Sequence, residues 1–184
     1  MKSLAHPYVL PLLLITSTLF ADDATDEPML GPLIEGYGPT YPIDDRDVPL
    51  AEGFVYKAAF DAADYPGEPD ALNRTLVSVA RFMNMHARNG VPRENMDLAV
   101  VVHGSALKAL LDDNAYRSRY ETDNPNRELI ERLEAAGVAF YVCGQSMTFG
   151  GVEKDELLPQ AKVALSAMTM LTVLQSDDYA LLPW

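Results

Sequence analysis

Cysteine is almost missing from this sequence. The 184 residues contain one, Cys143, so no disulfide can close within the chain. Basic residues are scarce as well: 14 Lys and Arg face 27 Asp and Glu, for a formal net charge of -13. Phosphate backbones and anionic membrane surfaces are held by Lys and Arg clusters. None is present, which argues against nucleic acid and against a polybasic membrane contact. The histidines are His6, His86 and His103, without HxxxH, CxxC or a close acidic pair, so no metal site is expected. There is no GxGxxG, no Gly-Lys-Ser/Thr loop and no GxSxG. Nucleotide binding and serine-hydrolase chemistry therefore lack a basis, and no cofactor is expected.

Long apolar runs are also missing, with one exception. Tyr8 to Phe20 carries no charge, follows Lys2 and leads to Ala21 and the acidic pair Asp22-Asp23. Thirteen residues are few for a bilayer span. The order basic, apolar, small predicts a secretory signal peptide over residues 1–21 and an exported, periplasmic protein with no membrane segment after cleavage. Residues 22–52 form an acidic, proline-rich extension in which Pro28, Pro32, Pro39, Pro42 and Pro49 forbid a long helix. Such a stretch reads as a solvated linker. Leu30, Leu33, Ile34, Tyr37 and Tyr41 would be out of place in a pure spacer, so part of it is expected to lie against the domain or a neighbouring subunit.

From residue 53 to 184 the pattern alternates. Strands are expected at Phe54 to Phe60, Met96 to Val102, Val138 to Val142, Lys162 to Leu165 and Tyr179 to Leu182. Between them, Leu72, Leu76, Val79, Ala80 and Met83 recur at helical spacing. Ser105 begins a second helix, and Asn124-Pro125 a third. Tyr116 to Asp123 reads as a polar surface connection. Ala167 to Leu174 is apolar on nearly every side, which predicts a buried helix. Alternation of this kind predicts an α/β fold, a three-layer α/β/α domain around a mainly parallel five-stranded sheet.

In such sheets ligands bind beyond the carboxyl ends of the strands. The strand ends here are Asp61, His103, Cys143 and Ser166, and the turn after Cys143 is Gly144-Gln145-Ser146. A thiol just before a turn or helix start can be held as thiolate. His103 could serve it as base or cation, with Gly144, Gln145, Ser146, Asp61 and Ser166 contacting the substrate. The competing reading is equally physical: free cysteine is commonly a small apolar core residue, and a histidine in a turn is often simply bonded to backbone. Asn73-Arg74-Thr75 matches a glycosylation acceptor, but so short a match arises by chance and is dismissed.

The stretch VAFYVCGQSMTFGGV, followed by DELLPQAKVALSAMTMLTVLQ and a closing strand, resembles the DsrE/DsrF-like proteins, which include sulfur-relay subunits. HGSALKALL and the Asn-Pro-Asn before the third helix are similar to the exported branch of that family. The resemblance runs from about Phe54 to Leu182. It implies the three-layer fold, assembly of identical chains into trimers or hexamers, and a persulfide carried on the cysteine that corresponds to Cys143. It further implies a sulfur donor or acceptor, either a protein or a small sulfur compound. The relay subunits are cytoplasmic, whereas this chain is expected to be exported. Two functions follow as expectations: sulfurtransferase-like persulfide carriage, and a non-catalytic oligomeric binding module with Cys143 as a pocket wall.

Overall fold

The computed structural model describes residues 27–183. The expected signal peptide and its cleavage point lie outside the described residues. Five strands, β1 (Tyr56–Ala62), β2 (Met96–Val102), β3 (Ala139–Cys143), β4 (Ala161–Ala164) and β5 (Ala180–Leu182), form one sheet in the order β4-β3-β2-β1-β5. Every pairing is parallel. The helices are α1 (Arg74–Arg88), α2 (Asp113–Tyr120), α3 (Arg127–Ala135), α4 (Gly144–Gly150) and α5 (Ala167–Ser176).

The strand order decides which face each helix covers. β1 to β4 step in one direction, and right-handed crossovers put their connections on one face. The step from β4 to β5 returns across the whole sheet, so α5 must cross on the opposite face. The core divides accordingly. Phe60, Val100, Val102 and Phe140 pack with α1 to α4 in the larger cluster. Ala59, Ala99, Val101 and Cys143 pack with Ala167 and Leu174 of α5 in a smaller one. Side chains alternate between faces along a strand, and that period places Asp61, His103 and Cys143 on the α5 side.

The sequence-based boundaries shift in places. Met96–Val102 is a strand over the expected residues. The expected helix at Ser105 is a tighter 3-10 segment, Gly104–Leu110. The expected surface connection after Tyr116 is largely helix α2, because the Asp112 side chain accepts from the Ala115 N–H and Tyr116 is fully buried. The helix expected to be buried, α5, is only partly so: Ala167 and Leu174 are covered, while Met168 and Val173 are exposed. A single helix on a sheet face hides one side and leaves the other to whatever lies beyond.

Residues 29–40 lie against α1 and are fastened there by three of its side chains: Arg81 donates to the Pro39 carbonyl, Arg88 to the carbonyls of Leu30 and Gly31, and Asn84 makes the most bonds. Asn84 is completely buried. Its Oδ1 accepts from the Leu33 N–H at 3.0 Å and the Ile34 N–H at 2.8 Å. Its Nδ2 donates to the carbonyls of Ile34, Tyr37 and Gly38. Met29 and Thr40 pair as an antiparallel bridge that closes the loop. Gly38, at φ +60, sits so close to the Ala80–Arg81 backbone that a side chain would begin 2.3 Å from the Arg81 nitrogen. The linker reading therefore fails for this stretch.

Candidate active site

Adjacent parallel strands end side by side, about 4.8 Å apart, and this edge gathers the strand-end residues. Asp61, His103, Cys143 and Ser166 line one cleft of about 290 Å³ together with Gln145. The opposite wall is α5, through Ala167, Met168 and Leu171. The register shows how His103 arrives there. Val102 pairs with Val142, so the next residues, His103 and Cys143, stand level on neighbouring strands.

Cys143 occupies the junction of β3 and α4. Its residue surface is 5% exposed, and its Sγ caps α4, accepting from the Ser146 N–H at 3.4 Å. Burial is the largest influence on this thiol and pushes its pKa up. The Ser146 hydroxyl and the amides of Ser146, Ala167 and Gln145 act against it and together hold the thiol below its ordinary value. The amides come from the first turns of two helices, α4 and α5, so two sets of N-terminal dipoles converge on one sulfur.

The Ser146 hydroxyl is itself oriented. Its Oγ accepts from the Gly104 N–H at 3.1 Å, which leaves its own proton for the sulfur. Gly104 can stand there because it adopts φ +56; a side chain would begin 2.7 Å from the Ala63 carbonyl oxygen. The turn after β2 thus supports the thiol on β3.

His103 and Asp61 form a pair, with His103 Nε2 2.7 Å from Asp61 Oδ1. The backbone N–H of His103 donates to the Ala62 carbonyl at 2.9 Å. The imidazole is therefore located by β1 from two sides. A carboxylate on one ring nitrogen fixes the orientation of the ring.

The remaining candidates differ in what they can contribute. The Gln145 side-chain amide points to the Leu165 carbonyl at 3.5 Å. The Ser166 hydroxyl is occupied in capping α5: it accepts from the Thr169 N–H at 3.0 Å and meets Thr169 Oγ1 at 2.9 Å. Gly144 packs toward the Ala164 carbonyl and is not part of the cleft wall. Ser146 stands behind the thiol rather than in the cleft. Sequence reasoning missed the α5 wall and the pairing of Asp61 with His103. A signal for the wall was present in Met168 and Leu171, one helical turn apart just after a strand-end serine.

Asn73, in the glycosylation-acceptor pattern, is 1% exposed and caps α1. Its Oδ1 accepts from the Leu76 N–H and its Nδ2 donates to the Asp64 carbonyl. No sugar can be attached to that nitrogen in the folded chain.

A solved structure of a protein of unknown function from Methanobacterium thermoautotrophicum has the same fold. It aligns with a TM-score of 0.53 at 19% sequence identity, over 70% of this chain and 99% of that one. No curated protein matches the chain. The sequence pattern of the DsrE/DsrF-like family matches residues 57–184, the span that holds all of the sheet but Tyr56 and the Cys143 cleft with it, and the chain belongs to that family.

Proposed function

We propose that this protein handles sulfane sulfur through Cys143, as a persulfide carrier of the sulfurtransferase type. The observation that carries this reading is the Cys143 thiol itself: helix-start amides and the Ser146 hydroxyl surround the sulfur, and it stands at the wall of a cleft. A thiolate is the attacking species in such chemistry. Cys143 as thiolate attacks the outer sulfur of a persulfide R–S–SH. A new S–S bond forms at Cys143, the donor S–S bond breaks, and R–S⁻ leaves with the electron pair and takes a proton from solvent or from His103. Nothing is oxidised or reduced overall. His103, held by Asp61, lines the same cleft as Cys143 and is the residue assigned to supply that proton.

The reading extends to assembly and location. Leu165, Met168 and Val173 are exposed apolar residues at and beside α5, and they support contact between copies of the chain, as trimers or hexamers. Export to the periplasm rests on the order of residues in 1–21 alone.

The binding-module reading draws on one fact, the low exposure of Cys143. Treating the native protein with the persulfide of 2-mercaptoethanol separates the two. Intact-mass spectrometry is expected to show a gain of one sulfur in the wild type and none in Cys143→Ser. A wild-type thiol that stays unmodified, and that alkylates only after unfolding, would leave the binding module standing.

A further inference from the structure

The cleft beside Cys143 holds a fixed negative group and no permanent positive one. Asp61 and His103 reach it with side chains 27% and 29% exposed. No lysine or arginine contributes to its walls. His103 is the one group there that can carry positive charge, and it is already set against Asp61 at 2.7 Å. Once Cys143 ionises, carboxylate and thiolate outnumber the imidazolium even when His103 holds its second proton. The surrounding chain adds to this field, with a net charge of -13. The other wall is apolar, from Met168 and Leu171. At about 290 Å³ the cleft is at the lower end of small-molecule sites.

We infer that the cleft selects its sulfur donor by charge: small amine-bearing or uncharged persulfides and disulfides are accepted, and anionic donors such as thiosulfate or carboxylate-bearing persulfides are rejected. This substrate class rests on the sulfur-transfer reading. An ammonium group on a short carbon chain would place its charge toward Asp61 and its carbons along α5. Thiosulfate, with two negative charges and no carbon, meets the Asp61 carboxylate and an apolar wall, while His103 is already engaged by Asp61 and the helix-start amides by the Cys143 sulfur.

Charge selectivity can be measured apart from sulfur transfer by thiol–disulfide exchange on the full, native chain. The probes are three symmetric disulfides of similar size: cystamine, bis(2-hydroxyethyl) disulfide and dithiodipropionate. In each case the Cys143 thiolate forms a mixed disulfide and one R–S⁻ leaves, taking a proton from solvent. Rates are read by intact mass and divided by the rate of free 2-mercaptoethanol with the same disulfide. Cystamine is expected to be fastest and dithiodipropionate slowest, with a ratio of at least about ten-fold, the low end of what a charged cleft adds to association. The ratio should shrink as ionic strength rises. It should also fall toward one in Asp61→Asn, and the salt series on the wild type stands even if that variant folds poorly. Equal normalised rates, or a preference for dithiodipropionate, would overturn the inference. A ranking that holds while the persulfide of cysteamine leaves Cys143 unchanged would remove the sulfur-transfer reading and keep the charge rule.

Discussion

Ser146 is the residue whose removal says most about Cys143. Its hydroxyl and amide both act on the sulfur, and Ser146→Ala deletes the hydroxyl alone. The thiol pKa is expected to rise toward its ordinary value, so the thiolate fraction at neutral pH falls. Iodoacetamide alkylation followed across pH would show this as an inflection at higher pH than in the wild type, with the same plateau. An unchanged inflection would assign the effect to the amides. The position of Cys143 was legible in the sequence, because an apolar run ending in a turn marks a strand end. The pairing of His103 with Asp61 was not. The two are 42 residues apart, and they meet only because β1 and β2 are neighbours, which depends on strand order. Asn73 shows why its acceptor pattern deserved no weight. A three-residue pattern carries no information on burial, and here the asparagine is a helix cap.

Element by element, the proline-rich lead-in depends on α1. Asn84→Ala would strand two amide N–H groups and several carbonyls of residues 33–38. Each buried group left unpaired costs about 1–3 kcal/mol, so a loss of roughly 3 kcal/mol or more is expected in urea unfolding. Limited proteolysis should then cut within residues 27–52, with the cleft residues unaffected. α1 also carries His86, stacked on Phe82 at a ring distance of 4.0 Å and edge-on to Tyr56 at 4.5 Å. Burial lowers its pKa, against the raising effect of the Phe82 carbonyl. Folding thus favours the neutral ring. Its contribution is complete above the unfolded value of about 6.5 and is lost as pH falls from there toward the lower folded value. The urea midpoint should drop more steeply between pH 7.5 and 5.5 in the wild type than in His86→Leu. Helix α2 escaped sequence reading because its surface is polar and charged and its buried side rests largely on Tyr116. The start of α3 fell two residues late for a comparable reason. Asn124, the expected cap, instead donates to the carbonyls of Ala109 and Leu111.

At the scale of the molecule, alternation of strand and helix was enough to read a parallel sheet with helices on its faces. It was not enough to show that four helices share one face and one helix has the other, because that follows from where β5 joins. The apolar surface left on α5 is where the proposed assembly can be tested. Met168→Glu with Val173→Lys should shift sedimentation toward a lighter species while far-ultraviolet dichroism stays the same. A wild type that sediments as a single chain at every concentration would remove the proposal of contact between copies.

The return of the chain over the sheet ties the carboxyl terminus to the chemistry. α5 begins at the cleft wall and ends where the chain turns into β5, which pairs with β1 at the far edge. Removing residues 178–184, or loading them with a fused protein, would release one end of α5, which among the described residues is the only helix that shelters the sulfur on that side. A purification handle placed at the tail would therefore be felt at Cys143, and reactivity measured on such a chain would report the handle as well as the cleft.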